Sequence, residues 1–128
     1  MFIDSHCHLD RLDLSLYQDK LENVVQAATE AEVTKLLCVS VTLAEFPAMV
    51  EKTAPYENVL LSCGAHPLNQ EDKVDKKVLS ELSMHERVIA IGETGLDYHY
   101  APETKALQQD SFRKHIQVAK DLNKPIII

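Results

Sequence analysis

The chain opens MFIDSHCHLD, alternating acids and imidazoles immediately after two apolar residues. In an extended strand successive side chains point to opposite faces, so Asp4, His6, His8 and Asp10 are expected on one face. That set suits a divalent cation, because two imidazoles at i and i+2 can reach one ion with nitrogen bonds near about 2.1 Å. The competing reading is a pair of solvated loop histidines. With six histidines in 128 residues an HxH arises readily by chance, so its weight comes from its place at a strand end.

Glu93 is the next candidate. It sits between Gly92 and Gly95, after an apolar run with no other charge. Flanking glycines suggest backbone that turns tightly or approaches something closely. A carboxylate there can complete one ion's shell or bridge two, and otherwise it caps a helix or faces solvent. His66, in CGAHP, is either packed beside Pro67 or placed to contact a phosphate or move a proton. Asp97 is a weaker candidate for orienting a histidine. Tyr98 and Tyr100 could stack on a base, although such tyrosines are more often partial core. His99 carries no specified role, and His85 and His115 read as solvated. Asp10 either supports a ligand or stabilises its loop.

These residues need elements to hold them. Short apolar runs recur at MFID, Lys35–Val41, Val59–Cys63, Val88–Gly92 and Pro125–Ile128, and their length and β-branching favour strands buried on both faces. Helical patterns lie between them. Leu21, Val24, Val25 and Ala28 recur at helical spacing, and Thr42 with Glu45 suggests a capping box ahead of Pro47. Val74, Val78, Leu79 and Leu82 share a stripe, and Pro102 to Leu122 reads as one long helix with Phe112, Ile116 and Ala119 inward. Five strands alternating with four helices predict a parallel α/β fold. The rhythm matches the first half of a (β/α)8 TIM barrel, as one domain over residues 1–128 with no internal boundary. A doubly wound sheet is the alternative, but no glycine-rich phosphate turn follows the first strand. In either architecture sites form where strands end. The first, third and fourth strands end in SHCHLD, GAHPLN and GETGLDYHY, while the second ends blandly in SVTLAEF.

Composition narrows the function classes. A net charge of −7 argues against gripping nucleic acid by bulk electrostatics, although bound cations would reverse that sign locally. Three cysteines, Cys7, Cys38 and Cys63, form no CxxC and suit a reducing cytosol. No run of about 18 apolar residues is present, so the expectation is a soluble cytoplasmic protein without a membrane partner. No obligate protein partner is evident, and oligomeric state is not legible.

FIDSHCHLD, CGAHPLN, GETGLDYHY, ETKALQQDSF and LNKPIII, in this order and spacing, resemble the TatD family of metal-dependent deoxyribonucleases across essentially the whole chain. The resemblance implies an amidohydrolase-type barrel holding one or two divalent metals. His6 and His8 match the HxH ligands, Glu93 the bridging carboxylate and His66 the histidine of a GxHP motif near the scissile phosphate. It further implies 3′–5′ exonuclease action on DNA with magnesium, although nitrogen ligands also suit zinc, manganese or iron. The family pattern continues with a histidine after the KPIII-type strand, then a further histidine and an aspartate. This sequence stops at Ile128, so it is expected to be a fragment of a longer chain.

The mechanism that follows is hydrolysis by a metal-activated water, with Glu93 and His66 as catalytic residues and His6, His8 and Glu93 as ligands. Two alternatives stay open: a small-molecule amidohydrolase or lactonase on the same barrel, and an inactive truncated half-barrel.

Overall fold

In the computed structural model, residues 1–69 and 73–128 are described, and among them run four parallel strands and four α-helices. β1 (Phe2–Cys7), β2 (Val33–Cys38), β3 (Val59–Cys63) and β4 (Val88–Ile91) lie side by side in chain order. Each neighbouring pair is parallel. α1 (Leu21–Glu30), α2 (Phe46–Thr53) and α3 (Lys76–Ser83) make the crossovers, and α4 (Lys105–Asp121) follows β4. The sequential order decides between the two parallel architectures. A doubly wound sheet reverses at a switch point, whereas a (β/α)8 barrel does not. The chain is α/β and forms half of such a barrel.

Two strands, β1 and β2, differ in their bounds from expectation. β1 runs on to Cys7, carrying His6 inside the strand, and β2 starts at Val33 and stops at Cys38. The strand expected over Pro125–Ile128 is reduced to one parallel bridge, Ile91 opposite Ile126. Ile91 N–H donates to Pro125 O and Ile127 N–H to Ile91 O, both at 2.8 Å. Among the described residues this segment pairs with β4.

The core lies between sheet and helices. Cys38, Val59, Leu61, Cys63 and Ile91 from the strands meet Leu21, Val25, Met49, Leu79 and Val118 from the helices. Completely burying a side chain such as Leu79 is worth about 1.5–3 kcal/mol. Val88 joins this core, so Ile89 faces the other side of the sheet, where it is 42% exposed.

Local chemistry sets the helix ends. Asp75 caps α3, its Oδ1 accepting from Lys77 N–H at 2.8 Å and from Val78 N–H at 3.4 Å. Glu45 N–H donates to Thr42 Oγ1 at 3.2 Å, but the Glu45 carboxylate takes the Thr42 hydroxyl at 2.6 Å. The expected capping box is therefore half formed, and α2 begins at Phe46 with Pro47 in its first turn. The Arg87 guanidinium donates to Val50 O at 2.8 Å and Thr53 O at 2.9 Å, satisfying carbonyls that the end of α2 leaves unpaired.

Two helix faces depart from the expected phase. Val78 is exposed while Leu79 is buried. On α4 the buried positions are Gln108, Ser111, His115, Val118 and Ala119, so Ile116 points outward and Phe112 is half-buried. That stripe mixes polar with apolar residues, which hides it from a reading based on hydrophobicity alone.

Candidate metal centre

The ends of β1, β3 and β4 bring His6, His8, His66 and Glu93 together. One carboxylate oxygen, Glu93 Oε2, lies 3.2 Å from His6 Nε2 and 3.7 Å from His8 Nε2. The other, Oε1, lies 3.6 Å from His66 Nε2. The ligand atoms of His6, His8 and Glu93 all fall within 4.8 Å of one another. Two ligands of a tetrahedral ion with bonds of about 2.0–2.1 Å stand roughly 3.3 Å apart, so this spacing is already close to what a metal requires. Two imidazole nitrogens and a carboxylate form a donor set for a divalent transition metal, and one that magnesium uses less readily.

The histidines are not equivalent. His8 Nδ1 lies 2.9 Å from Val39 O, and a carbonyl can only accept, so Nδ1 carries a proton and, in the neutral ring, Nε2 presents a lone pair to the cluster. That is the arrangement of a ligand with its orientation fixed from behind. His66 is the opposite case. Its Nδ1 accepts from Leu68 N–H at 3.2 Å, which puts the proton of the neutral ring on Nε2, the atom facing Glu93. His66 therefore offers a hydrogen-bond donor where His8 offers an acceptor.

Beneath these side chains the strand ends are cross-linked by buried polar groups. Ser62 Oγ donates to Gly92 O at 2.6 Å and accepts from Ser40 N–H at 3.3 Å. Ser40 Oγ donates to Gly64 O at 3.0 Å, and Glu93 N–H donates to Ser40 O at 3.2 Å. The two glycines have no room for anything larger. A Cβ on Gly64 would sit 2.5 Å from Gly92 Cα, and one on Gly92, whose φ is +137°, would sit 2.5 Å from Ile127 O. The second strand end, bland by its side chains, thus contributes through Ser40 and the Val39 carbonyl. Nothing in residue type signals a backbone carbonyl's role.

The remaining candidates fall elsewhere. Asp4 accepts from His6 N–H at 3.0 Å, bracing the local backbone. Asp10 does not join the cluster: the chain leaves strand geometry after Cys7, and the Asp10 carboxylate takes the Cys38 thiol at 3.7 Å and lies 3.8 Å from Arg11 Nε. Asp97 orients no histidine ring. Its Oδ1 accepts from the backbone N–H groups of His99 and Tyr100 at 3.0 and 2.9 Å, folding its own loop. Tyr98 is part exposed, with its hydroxyl accepting from Gln109 at 2.9 Å and Lys105 Nζ 4.8 Å from its ring centre. His85 is half-buried against Phe46 rather than solvated. His115, also expected in solvent, is fully buried, and burial pushes its imidazole below the ordinary histidine value. The three cysteines are free thiols, and burial raises Cys7 to about 12 and Cys38 and Cys63 to about 11.

Comparison with known proteins places the chain among relatives of one family. The family model described as TatD related DNase matches residues 3–128. The uncharacterized metal-dependent hydrolase YcfH of Escherichia coli is 46% identical over 126 residues, covering 98% of this chain and 48% of that protein. The deoxyribonuclease TATDN3 of Homo sapiens is 31% identical over 139 residues, covering 97% of this chain and 50% of that one. A crystal structure of YJJV, a TatD homolog from Escherichia coli, superposes with a TM-score of 0.83 at 26% identity, covering 98% of this chain and 49% of its own. The chain spans about half the length of the curated relatives it matches.

Proposed function

The chain belongs to the TatD related DNase family, and from that premise we propose that it supplies the first metal ligands and a phosphate-contacting histidine of a hydrolase that cleaves DNA from its 3′ end. The observation that carries the reading is the split between His8 and His66 around one carboxylate. His8 presents a lone pair and His66 a donor, on opposite oxygens of Glu93. A metal site needs the first and a phosphate oxygen needs the second. The name of the human relative supports DNA as substrate.

His6, His8 and Glu93 would hold the ion, with Glu93 free to share its second oxygen with another. When bound, a divalent ion would lower the pKa of a coordinated water and stabilise charge on the leaving oxygen. His66 would donate Nε2–H to a non-bridging phosphate oxygen, fixing the phosphodiester beside the ligands. Glu93 would keep His66 aligned until the phosphate arrives. The family resemblance implies magnesium, while the imidazole donors favour zinc or manganese, so the metal is assigned by titration. The three free thiols support a reducing, cytoplasmic setting.

A small-molecule amidohydrolase is the second reading, favoured by the net charge of −7. Salt separates the two, because contacts to a phosphate backbone release counterions and a small neutral substrate does not. The test is 3′-labelled single-stranded DNA with added magnesium, manganese or zinc, read for the chain and for Glu93→Ala. Nucleotide release that weakens with salt and disappears in the variant is expected. Release that is unchanged in the variant would sink the nuclease reading, and no release under any metal would make this chain alone an inactive half-barrel.

A further inference from the structure

α4 buries three polar side chains, Gln108, Ser111 and His115, at i, i+3 and i+7 on one face. Buried polar groups cost free energy unless each is hydrogen-bonded. Here each is, and two of the three are bonded to the loops that carry the site. Gln108 Oε1 accepts from Asp97 N–H at 2.7 Å, and its amide donates to Asp97 O at 3.0 Å, holding the loop after Glu93. His115 Nδ1 donates to Ser111 O at 2.8 Å, which leaves the lone pair on Nε2, and that atom accepts from Ala65 N–H at 3.0 Å. Ala65 is the residue before His66.

We propose that His115 is a positioning residue for His66. By tethering the Ala65 backbone to α4, it fixes the direction in which His66 Nε2–H points at Glu93. His115 is wholly buried and touches no reacting group, so it acts only through this tether. The inference rests on the phosphate-contacting role given to His66 above. A leucine would fill such a position on α4 without the cost of burying an imidazole. The imidazole's distinct contribution is one acceptor aimed at one loop amide, with its tautomer set by Ser111.

Nitrogen NMR of the imidazoles in the unmutated chain tests the tether directly. The expected result is an Nδ1–H tautomer for His115, an Nε2–H tautomer for His66, and a scalar coupling across the bond from Ala65 N to His115 Nε2. No coupling together with a rapidly exchanging Ala65 amide would overturn the proposal without any variant. In His115→Leu, Ala65 amide protection should fall at least about tenfold while the β3 amides keep theirs. The His66 ring should then lose its single tautomer, and His115→Gln, whose Oε1 accepts the same bond, should restore both. An unchanged His66 ring in a folded His115→Leu chain would refute the tether. On DNA, His115→Leu should lower kcat roughly ten- to a hundredfold with little change in KM, rescued by His115→Gln. A chain that cleaves no DNA yet shows the NMR pattern would be an inactive half-barrel in which the tether still holds.

Discussion

The Ser62 hydroxyl donates to the Gly92 carbonyl at 2.6 Å, joining the end of β3 to the residue that precedes the glutamate of the site. The same oxygen receives Ser40 N–H at 3.3 Å, so one buried hydroxyl sets the spacing of three strand ends.

Ser62→Ala should therefore cost about 1–3 kcal/mol, because it leaves a buried carbonyl and a buried N–H without their partner. The denaturant midpoint reports that loss. A larger relative drop in metal affinity than in stability is also expected, since Gly92 carries Glu93. Equal stability in the variant would show that the hydroxyl bond contributes nothing.

Gly64→Ala should be worse than its one added methyl suggests. The new carbon would meet Gly92 Cα at 2.5 Å, with backbone on both sides and no flexible side chain to give way. Overpacking of this kind costs about 1–3 kcal/mol or more. Circular dichroism with urea titration would read it. A variant as stable as the parent would mean that β3 and β4 can separate at their ends without penalty.

The thiols and the buried imidazole predict opposite slopes of stability with pH. Cys38 and Cys63 ionise at about 11 when folded against 9.0 in the open chain, and Cys7 at about 12. Above pH 9 the unfolded chain loses protons first, so stability should fall as pH rises through this window. His115 is held below its ordinary 6.5, so the unfolded chain binds the proton first, and stability should fall as pH drops below about 6.5. Midpoints measured from pH 4 to 11 would trace both arms, and His115→Gln should flatten only the acid one. Iodoacetamide should label the cysteines slowly at pH 8 until denaturant is added.

The site was more legible than its supports. His6, His8, His66 and Glu93 stood out because strand ends concentrated them, and the structure brings all four together. The alternation through Asp10 failed because β1 ends at Cys7, so Asp10 turns toward Cys38 and Arg11. Val39, Ser40 and Ser62 were invisible for a different reason: their contributions are a carbonyl and two small hydroxyls, which carry no spacing signal. His115 escapes a reading by hydrophobicity because the buried stripe of α4 mixes polar with apolar residues. Gln108, Ser111 and His115 at i, i+3 and i+7, together with Val118, carry the true phase of the helix. The sheet order needed little more than the rhythm of apolar runs, but the expected burial of the strands on both faces does not hold. Phe2 and Ile3 are exposed, and so is Ile89, because the face of the sheet away from the helices is largely uncovered among the described residues.

His6 and Glu93 stand 87 residues apart in the chain and 3.2 Å apart in space. No local segment can assemble this cage, so its three donors converge only after β1 has found its place beside β2 and β4 has closed the other side. Affinity for an ion is then a gauge of global order, readable without any catalytic assay. At a free-ion concentration a hundredfold above Kd, binding should add about 2.7 kcal/mol to the resistance of the whole chain to unfolding. A chelator should withdraw that increment at a stroke, and the melting temperature would record it.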